Sequence, residues 1–314
     1  MPGSLLRLMS YNVRYFGHAL RGLASTRGSK RLIAESLAAL SPLPSVICLQ
    51  EVETRSLRSR LAYRGGSAGE TQLEAFMGEL EIALDEAHRP FRYQAFYFPA
   101  HVNLLRSVAL SSMGLAMLVD KGSLSIDKHN VEAPEKITHH HVRALKDRKQ
   151  GRICAHMRVE TRAHRPLHVF NTHLSLPTPF AADFWMVRDK MGFGINQLHE
   201  AKTLAAYVRR MAVDEPFIIC GDFNSPPGSP VYRYLTEEAG FTGAQQALGQ
   251  IDGKTSRAFP TAGFLRLRMH LDHLFGGNGV QFVDLEGTSP FGDQESPFAG
   301  RSDHMPLITR LRLP

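Results

Sequence analysis

Residues 217–230, FIICGDFNSPPGSP, contain an apolar run that ends abruptly in Gly-Asp-Phe-Asn and a proline-rich turn. The run is typical of a buried β-strand, and the following prolines end it. Because side chains alternate along an extended chain, Asp222 and Asn224 lie on one side and Phe223 on the other. The stretch therefore predicts a core strand that presents a carboxylate and a carboxamide together at its end.

The same arrangement recurs along the chain, where strand-like apolar runs end or begin in a carboxylate, a carboxamide or an imidazole. The polar residues at these positions are Asn12, Glu51, Asn171, His173, Asp222, Asn224, Asp272, Asp303 and His304. Strand ends of packed sheets meet at one rim, where a rigid scaffold can hold side chains in a shared cleft. We therefore expect these residues to converge.

The periodicity of apolar residues alternates between helical and strand-like stretches. Helices are expected at 27–40, 70–88, 196–211 and 231–240. Strands are expected at 5–13, 46–52, 91–98, 112–120, 151–160, 166–174, 217–222, 270–275, 281–285 and 304–313. Strand runs with helices in both halves predict two mostly antiparallel sheets packed face to face with helices outside, an α/β sandwich.

No linker of disorder-like composition divides the chain, so we expect a single domain over residues 1–314. The segments 121–150 and 175–195 are expected to be irregular surface excursions. Three cysteines in strand-like runs are expected to be buried and reduced. With neither a signal-like apolar segment nor a run of about 20 apolar residues, the chain is expected to be soluble and cytoplasmic.

The formal net charge of +7 favours polyanionic partners such as nucleic acid or anionic head groups. At the predicted rim, Glu51 and Asp303, with the Asn12 carboxamide, offer hard oxygen ligands that suit Mg²⁺ or Mn²⁺. His304 adjoins Asp303, and Asp272 is suited to fix its tautomer. These residue types indicate a site for a hard cation with oxygen ligands rather than a soft-metal site with thiolate ligands.

The other rim residues suit phosphoester chemistry. Asp222 is suited to align an attacking water or to take its proton. Asn224, Asn171 and His173 are suited to contact phosphate oxygens. Taken alone, Asn224 before a proline-rich turn is equally interpreted as a turn former. Together the set predicts metal-assisted hydrolysis of a phosphoester.

Two histidine features are interpreted as structural. His273 follows Asp272, but its side chain is expected on the opposite face of the strand. The run at 139–141 lies in a basic segment without spaced partner ligands, which favours a solvated loop over a metal site.

An ordered set of short motifs resembles the endonuclease/exonuclease/phosphatase superfamily, the deoxyribonuclease I-like proteins. The motifs are YNV (11–13), LQEVE (49–53), NTHL (171–174), GDFN (221–224), LDH (271–273) and SDHMPL (302–307). GDFN and SDH are weakly specific alone, but the set spans nearly the whole chain in order. The resemblance implies a four-layered α/β sandwich and a Mg²⁺-dependent phosphoesterase.

The resemblance also implies a role for each motif residue. Glu51 would be the principal metal ligand, with Asn12 beside it and Asp303 in support. Arg14 stands where abasic-site endonucleases carry an acid, which argues against that subgroup and against a second metal. The water would be oriented by Asp222 with Asn224, and the scissile phosphate contacted by His304, paired with Asp272. Phosphate would also be bound by Asn171 and His173, with His173 assisting the leaving group.

Two segments are expected to determine specificity. In 175–195, Trp185 and three phenylalanines accompany Arg188 and Lys190, a composition suited to stacking bases, to entering a lipid interface or to covering an apolar patch. In the basic segment 136–152, Arg152 is expected to meet phosphate. We therefore expect a nuclease; the alternatives are a phospholipid, sphingomyelin or phosphoinositide hydrolase and a non-catalytic binding protein.

Overall fold

The computed structural model of the protein describes residues 5–16, 26–53, 71–105, 108–138, 151–177, 191–251, 259–264 and 267–314. Several predicted features lie outside these ranges. They are the histidine run at 139–141 with most of the basic segment, and Trp185 and Arg188 of the aromatic segment.

Most of the described strands form two sheets. The first sheet contains β1 (Leu5–Asn12), β2 (Val46–Glu53), β3 (Tyr93–Leu105), β4 (Val108–Asp120), β14 (Gln281–Asp284) and β15 (Leu307–Arg312). Their spatial order is β14-β15-β1-β2-β4-β3. Only β1 and β2 pair in parallel among these described strands, and the remaining pairs are antiparallel.

The second sheet contains β5 (Leu124–His129), β6 (Glu135–Lys136), β7 (Ile153–Thr161), β8 (Pro166–His173), β9 (Phe217–Asp222), β10 (Thr242–Gly243) and β13 (Asp272–Gly277). The order is β10-β13-β9-β8-β7-β5, with β6 beside β7. Strands β8 and β9 run parallel, so their carboxyl ends reach the same edge. A separate hairpin joins β11 (Ala262–Phe264) and β12 (Leu267–Met269).

The helices cover the outer faces of the two sheets. They are α1 (Thr26–Ala38), α2 (Gln72–Glu86), α3 (Ile195–Ala212), α4 (Pro230–Arg233) and α5 (Ala244–Ala247), with a 3-10 turn at Arg14–Phe16 and a π turn at Tyr234–Glu238. No helix in the described part of the chain is long and apolar enough to cross a membrane.

Three apolar cores separate four layers. In β9, Ile218 and Cys220 pack between the sheets, whereas Phe217 and Ile219 pack in the core that α3 covers. A further core lies between the first sheet and helices α1 and α2. This alternation is the one expected for strands buried on both faces. The predicted four-layered α/β sandwich is confirmed.

The structure differs from the predicted elements mainly at the sheet edges. The segment 121–150, expected to be irregular, contains β5 and β6. Most of β5 is not buried, as on an edge strand, so it has no apolar run to signal it. The last strand begins at Leu307 rather than at His304, which forms an isolated bridge with Ala262.

Candidate active site

The inner faces of several strands end at one cleft. In β9, Asp222 follows Ile218 and Cys220 at intervals of two, so its side chain points between the sheets. The same parity aims three other strand-end side chains inward, those of Asn12 in β1, His173 in β8 and Asp272 in β13. The alternation that builds the core therefore also brings these polar groups together.

Glu51 reaches the cleft by a different route. In β2 the inward position belongs to Gln50, which is fully buried. The β2–β4 register shifts between Leu49 and Val52, and Glu51 has a φ of 55°. Bulges of this kind re-aim side chains. The Glu51 Oε1 atom consequently lies 4.0 Å from Nε2 of His173.

Asn12 bridges two carboxylates. Its Nδ2 donates to Oε1 of Glu51 at 3.3 Å and to Oδ2 of Asp222 at 3.0 Å. Its Oδ1, the atom suited to ligate a cation, accepts the backbone N–H of Arg14 at 3.0 Å. The structure therefore places Asn12 as a donor that holds the two acids together, and its role as a metal ligand stays a prediction.

Asp222 lies at the centre of the site. Its Oδ1 accepts the backbone N–H of Asn224 at 2.9 Å, and its Oδ2 lies 3.5 Å from Nε2 of His173 and 3.8 Å from Nε2 of His304. Burial raises the pKa of Asp222 to about 7, against the opposing charge of His304. A carboxylate with such a pKa can accept a proton near neutral pH.

The approach of β8 to β9 at this point depends on Gly221. A Cβ atom on Gly221 would lie 2.2 Å from the carbonyl oxygen of Thr172. Real contacts of that kind do not occur, so a larger residue would push the two strand ends apart. The glycine therefore sets the distance between the side chains that the two strands carry into the cleft.

His304 and Asp272 form a buried pair. Nδ1 of His304 lies 2.9 Å from Oδ2 of Asp272, which also accepts the hydroxyl of Thr261 at 2.6 Å. Burial alone would lower the pKa of His304, but the carboxylates of Asp272, Asp222 and Glu51 outweigh it and raise the pKa to about 9. His304 is thus a cation at neutral pH, as suits a phosphate contact.

His173 has the opposite charge state. Burial, with the charges of Arg152 and His304, holds the pKa of His173 well below its usual value. Its Nε2 is 3.2 Å from Nδ2 of Asn224, which also donates to the carbonyl oxygen of Leu174 at 3.0 Å. The neutral imidazole therefore accepts at Nε2. The predicted help of His173 to the leaving group would require a protonated imidazole, and it stays a prediction.

Asn171 lies deeper than predicted. It is fully buried, its Nδ2 donates to the carbonyl oxygens of Leu49 and Ala116 at 3.0 and 3.1 Å, and its Oδ1 accepts Nε2 of Gln50 at 2.7 Å. Both donor protons are used in these bonds to the first sheet. Asn171 thereby cross-links the two sheets, and its phosphate contact stays a prediction.

Asp303 forms an ion pair beside the site, and its support of the metal stays a prediction. Its Oδ2 forms an ion pair with the guanidinium of Arg14, which lies two residues beyond Asn12. The hydroxyl of Ser302 instead supports the site, donating to the carbonyl oxygen of Asn12 at 2.7 Å. The charge of Asp303 is thus neutralised by Arg14. This contact gives Arg14 a role that its position in the sequence did not indicate.

Arg152 lies beside the cleft as predicted. It lines a small cavity with Glu51, His173 and the apolar side chains of Leu115 and Ile153. Its backbone is held by the Thr138 hydroxyl, which accepts the Arg152 N–H at 2.5 Å and donates to its carbonyl oxygen at 3.1 Å. Among the described residues its buried Nε has no hydrogen-bond partner. The contact of Arg152 with a substrate phosphate stays a prediction.

Two groups of side chains bring possible cation ligands within 4.8 Å of one another. One is Glu51, His173 and Asp222, and the other is Asp222, Asp272 and His304. The first group fits a divalent cation better, because the second already contains a protonated imidazole. Glu51 is also partly exposed, which leaves room for the water and phosphate ligands that Mg²⁺ retains.

Sequence reasoning missed several supporting side chains. Gln50, Thr261 and Ser302 contact Asn171, Asp272 and Asn12 respectively, and all three are buried. Gln50 and Ser302 stand inside the quoted motifs, so their position offered a signal. Thr261 lies in an unassigned segment and offered none. His273, interpreted from the sequence as structural, donates its ring Nε2–H to the carbonyl oxygen of Ser225 at 2.7 Å and packs on Phe223.

Comparisons with known proteins agree with this fold. A model of the Endonuclease/Exonuclease/phosphatase family matches residues 9–304. The catalytic domain of human Nocturnin, solved with bound sulfate, superposes on this chain with a TM-score of 0.63 and 18% sequence identity. The alignment covers 99% of this chain and 95% of that one. ANGEL2, a 2′,3′-cyclic phosphatase in complex with adenosine-2′,3′-vanadate, shares 18% identity and a TM-score of 0.61, covering 99% and 96%.

A bacterial protein is similar to the same degree. An endonuclease/exonuclease/phosphatase from Bacteroides vulgatus shares 14% identity and a TM-score of 0.62, with coverage of 99% of this chain and 100% of that one. At these identities the likeness to solved structures shows the fold alone. No curated protein sequence matches the chain.

Proposed function

Because the chain belongs to the endonuclease/exonuclease/phosphatase family, whose members are phosphoester hydrolases, we propose that it is a Mg²⁺-dependent phosphodiesterase acting on nucleic acid. The observation that carries this proposal is the pair of side-chain groups that share Asp222. One joins it to Glu51 and His173, and the other to Asp272 and His304. A cation site, a base and a cationic phosphate contact thereby meet within one cleft.

The raised pKa values of Asp222 and His304 suggest which group takes a proton and which stays cationic during hydrolysis. Water attacks phosphorus in line with the leaving oxygen, and one of its protons passes to the carboxylate of Asp222. The bond from phosphorus to the leaving oxygen then breaks, and that oxygen takes a proton from solvent. The imidazolium of His304 is suited to stabilise the phosphate oxygens as negative charge develops. The amide of Asn224 donates to His173 and to the carbonyl oxygen of Leu174, and so orients the neutral imidazole.

Glu51 would hold the divalent cation, with Asp222 and His173 beside it. A cation bound there supplies Lewis-acid polarisation of the phosphoester and helps to orient it. Asn12 contributes by keeping the two acids close, since its amide bonds both of them. Mn²⁺ offers the same coordination chemistry as Mg²⁺ for this oxygen-rich set.

The charge of the chain favours nucleic acid as the substrate. The net charge is +7, and Arg152 presents a guanidinium beside the candidate cation site. Contacts of this kind attract a phosphate backbone independently of its sequence. Two proteins with the same fold were solved with sulfate and with an adenosine vanadate, and these ligands support an anion-binding cleft of nucleotide character.

Hydrolysis assays on DNA, RNA, sphingomyelin vesicles and inositol phosphates, each with Mg²⁺, test the proposal. We expect the nucleic acids to be cleaved, and His304→Ala to lower kcat by about 100-fold or more while folding is kept. Cleavage of lipid head groups alone would contradict the choice of substrate. An unchanged rate in His304→Ala would contradict the role of the imidazolium.

A lipid phosphoesterase is the second candidate, because apolar side chains are exposed near the cleft. Phe193 and Ile195 are each 56% exposed, and Leu176 is 37% exposed. The two segments are adjacent, since a Cβ on Gly194 would lie 3.0 Å from the Cα of Pro177. Such a surface is suited to a membrane interface. Sphingomyelin or phosphoinositide hydrolysis in the same assays would favour this candidate.

A further inference from the structure

Helix α3 carries two fully buried polar side chains, Gln197 and Glu200. Residues three apart lie on the same face of a helix. Buried polar groups are retained with hydrogen-bond partners, and here the partners lie beyond the ends of β8 and β9. This face of α3 therefore contacts the segments that carry His173 and Asn224 into the cleft.

Gln197 fixes the exit of β9. Its Nε2 donates to the carbonyl oxygen of Asn224 at 3.0 Å, and its Oε1 accepts the N–H of Gly194, the residue before the helix, at 3.2 Å. Asn224 has a φ of 48°, a conformation that residues other than glycine adopt rarely. Such a conformation persists where surrounding contacts determine it. The bond from Gln197 is one of those contacts.

Glu200 fixes the exit of β8. Its Oε2 accepts the backbone N–H of Ser175 at 2.8 Å, and its Oε1 accepts the Ser175 hydroxyl at 2.7 Å. The two exits are also joined directly. The backbone N–H of Leu174 donates to the carbonyl oxygen of Asp222, and Nδ2 of Asn224 donates to the carbonyl oxygen of Leu174, both at 3.0 Å.

We propose that Gln197 and Glu200 are positioning residues, which hold the two strand exits so that His173 and Asn224 keep their 3.2 Å contact. Neither side chain is exposed to the cleft, so both act through the residues they bond. The inference rests on the proposed function, because it assigns these residues to the same site. It makes α3 the support of the catalytic edge of the second sheet.

The kinetic test uses Gln197→Leu, which removes both hydrogen bonds at similar volume. We expect kcat to fall by about 10- to 100-fold, since small misplacements of reacting groups have effects of this size, with KM changed by less than about threefold. Glu200→Gln keeps one acceptor and is expected to lose less. Thr203→Ala, on the exposed face of the same helix, is the matched control and should retain kcat within about twofold.

A double-mutant cycle separates positioning from general destabilisation. Asn224→Gly removes the side chain but permits the positive φ. In that background Gln197→Leu should change kcat by less than about twofold, because the group it positions is absent. Independent, multiplicative losses would overturn the proposal. If Gln197→Leu does not fold, the cycle is run with Glu200→Gln in a His173→Ala background, because Glu200 holds the strand exit that carries His173.

Amide hydrogen exchange gives a result that needs no substrate. The peptide 217–230 should exchange faster in Gln197→Leu than in the parent and in Thr203→Ala, because Asn224 loses a contact. Exchange equal to that of the parent, with parental kcat, would overturn the proposal. A parent protein that hydrolyses none of the substrates would contradict the proposed function, while the exchange comparison would still decide the role of Gln197.

Discussion

Replacing Asp272 by asparagine removes the charge that does most to keep His304 protonated. In the structure Oδ2 and Oδ1 of Asp272 lie 2.9 and 3.2 Å from Nδ1 of His304. Asparagine preserves the size of the side chain and an acceptor oxygen for the hydroxyl of Thr261, which donates at 2.6 Å. The variant therefore tests charge rather than shape.

The expected magnitude follows from the charges around the imidazole. Burial works against protonation, and the neighbouring carboxylates raise the pKa of His304 to about 9. Unit charges about 4 Å apart interact by about 4 kcal/mol at an effective dielectric constant of about 20. Since about 1.4 kcal/mol corresponds to one pKa unit, losing Asp272 should lower the pKa by about three units, to about 6.

The change has a pH-dependent signature. At pH 7.5 the protonated fraction of His304 should fall from nearly complete to about 3%, which lowers kcat by about 30-fold. Below about pH 6 His304 is mostly protonated in the variant as well as in the parent, so the difference in kcat between the two proteins should narrow. The rate is measured between pH 5.5 and 9, and side-chain nitrogen NMR of the cation-free proteins follows the proton itself.

Asp284→Asn is the matched control, because it also removes a carboxylate from an ion pair. Asp284 pairs with Arg310 at 2.6 Å in β14, at the edge of the first sheet. Its rate and pH profile should equal those of the parent. An Asp272→Asn protein that keeps the His304 proton through pH 8, or a rate ratio that is constant with pH, would refute the reasoning.

Three further changes test the fold around the site. Asn171→Ala should lower the free energy of unfolding in urea by about 3 kcal/mol, because it leaves buried groups unpaired, with kcat within a few-fold; lost activity at unchanged stability would instead support a phosphate contact. Gly221→Ala should prevent folding or raise the urea sensitivity sharply, since its Cβ meets Thr172 at 2.2 Å, and parental stability would contradict that clash. Burial, with the charge of His168, lowers the pKa of His156 to about 3. The folded protein therefore keeps its full free energy of unfolding above about pH 6.5, and protonation of His156 in the unfolded chain lowers that free energy by roughly 2 kcal/mol at pH 5. In His156→Met the free energy of unfolding should fall less between pH 6.5 and 5, and an equal fall would contradict the assignment.

Much of the site could be predicted from strand periodicity alone. Asp222 and His173 end inward stripes of apolar residues and Asp272 begins one, so their direction follows from the core positions of the same strands. The pairing of His304 with Asp272 was inferred from carboxylate–imidazole chemistry and from the family resemblance. The direction of these side chains follows from the alternation within each strand, so it could be predicted from one sequence.

The remaining site geometry depends on contacts between distant segments. The bulge that turns Glu51 into the cleft is a property of the β2–β4 register, which no local pattern fixes. The pairing of Arg14 with Asp303 joins residues near opposite ends of the chain. Asn171 has the residue type and parity of a phosphate ligand, but its depth between the sheets became visible only when its partners were placed.

The edge strands show the same limit in the fold. Core strands such as β9 are buried along their whole length, so their apolar runs predict them directly. In β5 only Leu124 is buried, and the strand exists because β7 supplies hydrogen-bond partners. Its sequence therefore resembles a loop, and 121–150 could not be divided correctly from composition.

We propose that Glu51 would hold the divalent cation that hydrolysis of nucleic acid at this cleft requires. The most direct measurement is the cleavage rate of DNA and RNA oligonucleotides by the parent and by Glu51→Gln across a Mg²⁺ titration. We expect the parent to lose activity in EDTA and to regain it with Mg²⁺, and Glu51→Gln to stay at least about 100-fold slower and to need more Mg²⁺. A Glu51→Gln protein as active as the parent, or a parent that cleaves equally well in EDTA, would contradict it.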